Sequence, residues 1–202
     1  MHLDTRALPQ YLSRDQVQQL VEACRSDRDR LLVRIAFETG GRVSELTEIR
    51  RSDVDIANRQ VRLRTLKRRS DRRRKRPEVF RWIPVSHSLC ADLGNYFLEI
   101  DPPAAGLIDD DELARVRVFP LTRQGAFALI RKAGKKAGLV ARGGREISPH
   151  ILRHSFAMNC LTQGVPITVV KELLGHASIS STMVYLKTDP AQAREFLSKV
   201  QF

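Results

Sequence analysis

Between Gln60 and Val85 the apolar residues of this chain recur at every second position; on both sides they recur every three or four. That change of period is the tightest constraint on the fold, because it allows one short antiparallel strand pair set among helices. Val61, Leu63 and Thr65 fall on one side of the first strand, with Arg62 and Arg64 on the other. Val79, Arg81, Ile83 and Val85 line one side of its partner, and Asn58-Arg59 supplies the turn ahead of the pair. Upstream, Ser13-Arg14-Asp15-Gln16 is a capping-box pattern followed by Val17, Leu20, Val21 and Cys24 at helical spacing. A second helix carries Leu31, Leu32, Ile35 and Ala36 and stops at Gly40-Gly41, and a third begins near Arg42 with Val43, Leu46 and Ile49 on one face. Downstream, Leu89, Leu93 and Phe97 mark a helix, and the acidic, Pro-bearing stretch 101–112 reads as a surface loop. Thr122 caps a helix holding Ala126, Phe127 and Ile130; Pro149 opens one that ends at Gly164, and Pro166 opens one that ends at Gly175. A last helix begins near Pro190 and uses Phe196, Leu197 and Val200. The expected fold is α+β, mainly α: one domain over 1–202, with an N-terminal extension at 1–12 and a C-terminal helix at 189–202.

With 42% hydrophobic residues the chain can build a core, which excludes wholesale disorder. Its apolar runs are only a few residues long, so no membrane-spanning helix is expected. Cys24, Cys90 and Cys160 are odd in number and far apart, which is neither a disulfide framework nor a zinc cluster; the expectation is a cytoplasmic, nucleoid-associated protein. The 35 Lys and Arg outnumber 23 Asp and Glu, a formal charge of +12. Residues 62–81 hold eleven Lys and Arg against Asp71 and Glu78, so a surplus of nine sits in one hairpin. Charge runs are usually solvated, but one this dense repels itself without a polyanion. Arg68, Arg69, Arg72, Arg73, Arg74, Lys75 and Arg76 are therefore read as contacts to the phosphate backbone or a groove of a nucleic acid.

Four stretches carry chemistry when taken together. Thr39-Gly40-Gly41-Arg42-Val43-Ser44-Glu45-Leu46 sets an arginine after a glycine pair at a helix start. His150-Ile151-Leu152-Arg153-His154 puts His150 and Arg153 on one helical face, Leu174-Gly175-His176 sets a histidine after a helix-ending glycine, and Tyr185 follows. Two arginines, two histidines and a tyrosine suit metal-free attack on a phosphodiester. Guanidinium forks neutralise non-bridging oxygens, imidazoles move protons near neutral pH, and a phenol serves as nucleophile. Of the three tyrosines, Tyr11 and Tyr96 sit in packing patterns, and Tyr185 is the candidate. His154 is read as structural or phosphate-neighbouring, and Trp82 as a packing residue.

In these residues the chain resembles the tyrosine recombinase/integrase family over about residues 11–188. Any one motif is weak; five in order with a hairpin lysine between them are specific. The resemblance implies that Arg42 and Arg153 clamp the scissile phosphate, His176 hydrogen-bonds it, and Tyr185 attacks phosphorus to give a 3′-phosphotyrosyl link and a free 5′-hydroxyl. It implies that Lys67 protonates the leaving oxygen, with Lys75 as the alternative, since this hairpin is longer and more basic than the family's usual turn. His150 would assist proton transfer at the nucleophile, and Glu45, one turn beyond Arg42, would orient a guanidinium. No metal, ATP or other cofactor is implied. The partners implied are double-stranded DNA and further copies of the chain, as a dimer or tetramer on DNA, with no membrane. The family's usual N-terminal clamp domain is missing, so the chain reads as a short recombinase or as a piece of a longer one. Two other readings share these features: a non-catalytic DNA-binding accessory protein, and a type IB topoisomerase-like relaxing activity.

Overall fold

Two serines start the first two helices by the same device. Ser13 Oγ accepts the Gln16 amide at 3.2 Å while Gln16 Oε1 accepts the Ser13 amide at 2.9 Å, and Ser26 caps its helix from the Asp29 amide. The computed structural model describes residues 10–65, 79–100, 110–141, 145–183 and Tyr185. In chain order these form α1 (Arg14–Glu22), α2 (Asp27–Thr39), α3 (Val43–Leu46), a 3-10 turn (Arg51–Asp53), β1 (Val54–Asp55), β2 (Gln60–Thr65), β3 (Val79–Pro84) and α4 (His87–Ile100). They continue with α5 (Asp110–Arg115), α6 (Arg123–Lys136), β4 (Val140–Ala141), β5 (Arg145–Glu146), α7 (Pro149–Thr162), α8 (Ile167–Leu174) and α9 (Ser180–Met183). No helix among them is long and apolar enough to cross a membrane.

The alternation in the sequence becomes an antiparallel sheet in the order β1-β2-β3, with Val61 opposite Ile83 and Leu63 opposite Arg81. Val61, Leu63 and Ile83 are buried in the main core, where α3 packs on β2, and the opposite face carries Arg62, Phe80 and Trp82. Trp82 differs from its expected packing role: it is 42% exposed, and the Arg62 guanidinium lies 5.4 Å from its ring centroid. Helices α1, α2, α4 and α6 share the main core with the sheet. A second cluster joins Phe156, Met158 and Leu161 of α7 to Val170 and Leu174 of α8 and to Tyr185.

The loop expected over 101–112 is corrected at its end, where Asp110–Arg115 is helical. Proline and acidic composition described 101–109 as a loop and missed that Asp-Asp-Asp-Glu suits a helix N-terminus. The short β4–β5 pair and α9 carry too few residues for any period to be seen. Lys67, Arg68, Arg69, Arg72, Arg73, Arg74, Lys75 and Arg76, the extension through residue 9, and the C-terminal helix at 189–202 lie outside the described residues.

Candidate active site

Gly40 brings the site together. It ends α2 at φ 59°, and a β-carbon there would come within 2.5 Å of Phe156 Cδ1, so α2 and α7 approach over bare backbone. The carbonyl of this residue accepts Arg153 Nη1 at 2.7 Å, while Arg153 Nη2 donates to the Leu174 carbonyl at 2.7 Å. Arg153, 5% exposed, thereby ties together the ends of α2 and α8. Two of its five N–H groups are used this way, and the rest have no hydrogen-bond partner among the described residues. Burial, then the neighbouring Arg42, lowers its pKa to about 10, which still leaves it a cation at neutral pH.

Arg42 follows as the N-cap of α3, and Glu45 holds it at both ends. The Arg42 amide donates to Glu45 Oε2 at 3.0 Å, and Arg42 Nη1 donates to Glu45 Oε1 at 2.9 Å. Glu45 is 1% exposed. Burial opposes its ionisation, but hydrogen bonds and charge from Arg81 and Arg42 outweigh that and hold its carboxyl below the ordinary value.

Arg81 is the site's unanticipated member. From β3 its Nη2 donates to Glu45 Oε2 at 2.6 Å, Nη1 to Thr65 Oγ1 at 2.9 Å, and Nε to the Leu173 carbonyl at 2.7 Å. Gly175 makes room for it: this glycine closes α8 at φ 64°, and a β-carbon there would lie 3.1 Å from Arg81 Nη1. The signal was present in the sequence. Arg81 shares a strand face with Ile83, and a charge on a core-facing position needs a buried partner.

Beyond Gly175, His176 Nδ1 lies 2.8 Å from the buried Thr182 Oγ1, a partner the sequence did not single out. Burial, followed by Arg153, Arg42, His154 and Arg81, depresses His176 to about 4, so the ring is neutral. His150 is exposed at the start of α7, and burial together with Arg153, Arg123 and Arg42 pulls it down too.

Tyr185 is 3% exposed, and its hydroxyl lies 2.8 Å from His154 Nδ1. The rings meet edge to face, 5.5 Å apart at 65°. Burial raises the phenol's pKa and Arg153 lowers it, with burial the larger effect. His154 therefore stands against the nucleophile candidate, a contact that the expected structural or phosphate-neighbouring role did not name. Tyr11 packs against the second cluster, which includes Tyr185, and Tyr96 packs against the main core. Among the described residues, no three His, Cys, Asp or Glu side chains form a metal-binding group. Arg42, Glu45, Arg153, His176 and Tyr185 thus come together, His150 stands at the edge, and Lys67 lies outside the described residues.

The chain is 32% identical over 196 residues to tyrosine recombinase XerA of Pyrococcus horikoshii, covering 97% of this chain and 63% of that one. It is 32% identical over 192 residues to tyrosine recombinase XerD of Mycobacterium tuberculosis, covering 90% of this chain and 57% of that one. The fold superposes on a crystal structure of XerA recombinase with a TM-score of 0.73 at 28% identity, covering 96% of this chain and 67% of that chain. This chain therefore spans a little under two thirds of the relatives' length. The phage integrase family model matches residues 10–192, from the residues just ahead of α1 to beyond Tyr185, and the chain belongs to that family.

Proposed function

We propose that the chain is a site-specific DNA recombinase that cleaves and rejoins duplex DNA through a covalent link to Tyr185. One observation carries the reading: Arg42 and Arg81 both bond the single carboxylate Glu45, and Arg153, bonded only to backbone carbonyls, adds a third cation near a buried tyrosine hydroxyl. The site holds more fixed positive charge than its own groups balance, which suits a bound anion beside a nucleophile. The names of the relatives, tyrosine recombinases, support the same reaction class.

In this reading Arg42 and Arg153 neutralise the non-bridging oxygens of the scissile phosphate. With Thr182 Oγ1 donating to Nδ1, His176 carries its proton on Nε2 and offers it to the same phosphate. Tyr185 Oη attacks phosphorus, the bond to the 5′-oxygen breaks, and a 3′-phosphotyrosyl link remains. Lys67, or Lys75 from the same hairpin, protonates the departing oxygen, and His150 assists proton transfer at the nucleophile. Attack by another 5′-hydroxyl reverses the step, so bond energy is conserved and no ATP is needed. Exchange between two duplexes requires at least two such sites, hence a dimer or tetramer on DNA.

Covalent capture tests this directly. Host genomic fragments incubated with the chain in EDTA and denatured should yield a protein–DNA adduct, and sequencing the captured DNA identifies the site. A nicked suicide duplex of that sequence should then accumulate an adduct that peptide mapping places on Tyr185. An adduct on another residue, or none, overturns the reading. The basic hairpin has its own readout. Replacing Arg72, Arg73, Arg74, Lys75 and Arg76 with glutamine should flatten log K against log[salt] by about 0.9 for each phosphate that is no longer neutralised. An unchanged slope removes the hairpin from the interface.

A further inference from the structure

The Tyr185 side chain is buried, and among the described residues the side chain at hydrogen-bonding distance from its hydroxyl is His154, not His150. A phenol that is to attack phosphorus must lose a proton, and an unperturbed tyrosine holds it until about pH 10. Here burial holds it harder still. The proton needs an acceptor at the oxygen itself, within about 2.6–3.2 Å. His154 Nδ1 at 2.8 Å meets that requirement.

Resting on the recombinase reading, we propose that His154 is a further catalytic residue: its Nδ1 accepts the Tyr185 proton as Oη bonds to phosphorus. The Oη–H bond breaks, the Oη–P bond forms, and the bond from phosphorus to the 5′-oxygen breaks, with that oxygen taking a proton from the general acid. In religation the 5′-hydroxyl attacks, Oη leaves, and the His154 imidazolium returns the proton to it. The edge-to-face contact of the rings fixes the line of approach, so His154 sets where Oη sits as well as where its proton goes.

The charges around His154 suit this cycle. Burial, then His150 one turn earlier and Arg153 next to it on α7, depress it to about 4, and His176 from beyond α8 also senses it. The free ring is therefore neutral and has a lone pair to offer. A phosphodiester bound between Arg42 and Arg153 brings a negative charge that offsets the repulsion, so the ring becomes a stronger base once substrate is present. His150 and His154 are four residues apart and share a helical face, with the first exposed and the second against the nucleophile.

The test uses the captured suicide duplex in two forms, with oxygen or with bridging sulfur at the scissile 5′ position; the sulfur form needs no acid to leave. His154→Ala should slow adduct formation about a hundredfold or more on both duplexes. His154→Asn keeps an acceptor near the place of Nδ1 but cannot hold a proton. It should bind the duplex and melt as the wild type does, yet stay slow, with a rate that climbs with pH as hydroxide takes over. Because this variant retains the hydrogen bond, it decides the question if His154→Ala does not fold. Nitrogen NMR of the histidine-labelled free chain should find Nδ1 unprotonated.

A defect that disappears on the sulfur duplex would assign His154 to the leaving group and overturn the proposal. So would a protonated Nδ1, or a His154→Asn rate within about threefold of wild type. Wild-type chain that forms no adduct overturns the recombinase reading itself. A wild-type adduct with an unimpaired His154→Asn variant overturns only the His154 assignment.

Discussion

Tyr185→Phe is expected to abolish the covalent adduct while leaving duplex affinity within about twofold of wild type. The substitution removes one atom, the oxygen that would bond to phosphorus. It keeps the ring, its burial with Phe156, Val170 and Leu174, and its edge contact with His154. Removing the hydrogen bond to His154 Nδ1 costs about 1 kcal/mol of stability, well short of unfolding a domain of this size. Affinity should survive because the cations proposed to meet the phosphates, Arg42, Arg153 and the hairpin, are untouched, and the salt dependence of binding should be unchanged for the same reason. Loss of binding together with the adduct would mean that Tyr185 holds α8 and the His176 turn in place as structure, and that the nucleophile lies elsewhere.

That single atom shows how far the sequence reaches. Tyr185 is legible because it follows Leu174-Gly175-His176 in order, and Tyr11 and Tyr96 sit in packing patterns that the structure also shows. The capping box at Ser13 and the alternation from Gln60 to Thr65 are legible because both are local: side chain and backbone meet within four residues. What cannot be read are contacts between elements distant in sequence. Ser155 accepts the Leu12 amide across 143 positions, and Arg81 reaches the Leu173 carbonyl across 92. Periodicity carries no information about either. His154 is easily passed over because it adjoins Arg153 and so points away from it, although its spacing of four from His150 places those two on one face. Arg81 is visible as a charge on an inward strand position, and only the fold shows that Glu45 answers it.

Glu45→Gln should lower stability by about 3 kcal/mol and slow adduct formation about a hundredfold, more than its lack of contact with substrate would suggest. The carboxylate accepts from Arg42 on one oxygen and from Arg81 and the Arg42 amide on the other. An amide supplies one oxygen and one N–H₂ group, so either choice of rotamer sets a donor against a donor. Arg81, only 11% exposed, loses its counter-charge, and Arg42 loses the restraint that aims its guanidinium. Chemical unfolding should show the first effect. The second should appear in the adduct rate at saturating duplex, because aiming Arg42 matters most when charge builds on phosphorus. The pH dependence separates this pair from other acidic groups. The folded-state pKa of Glu45 lies below its unfolded value of 4.5. Its contribution is therefore complete above pH 4.5 and lost as pH falls through the lowered value, and Glu45→Gln should remove that part of the acid transition. Arg81→Met should resemble Glu45→Gln, and the double variant should be no worse than the worse single one, since both break one bridge. Additive losses would show that Arg81 serves Thr65 and the α8 carbonyl independently of Glu45, and that Arg42 is aimed without it.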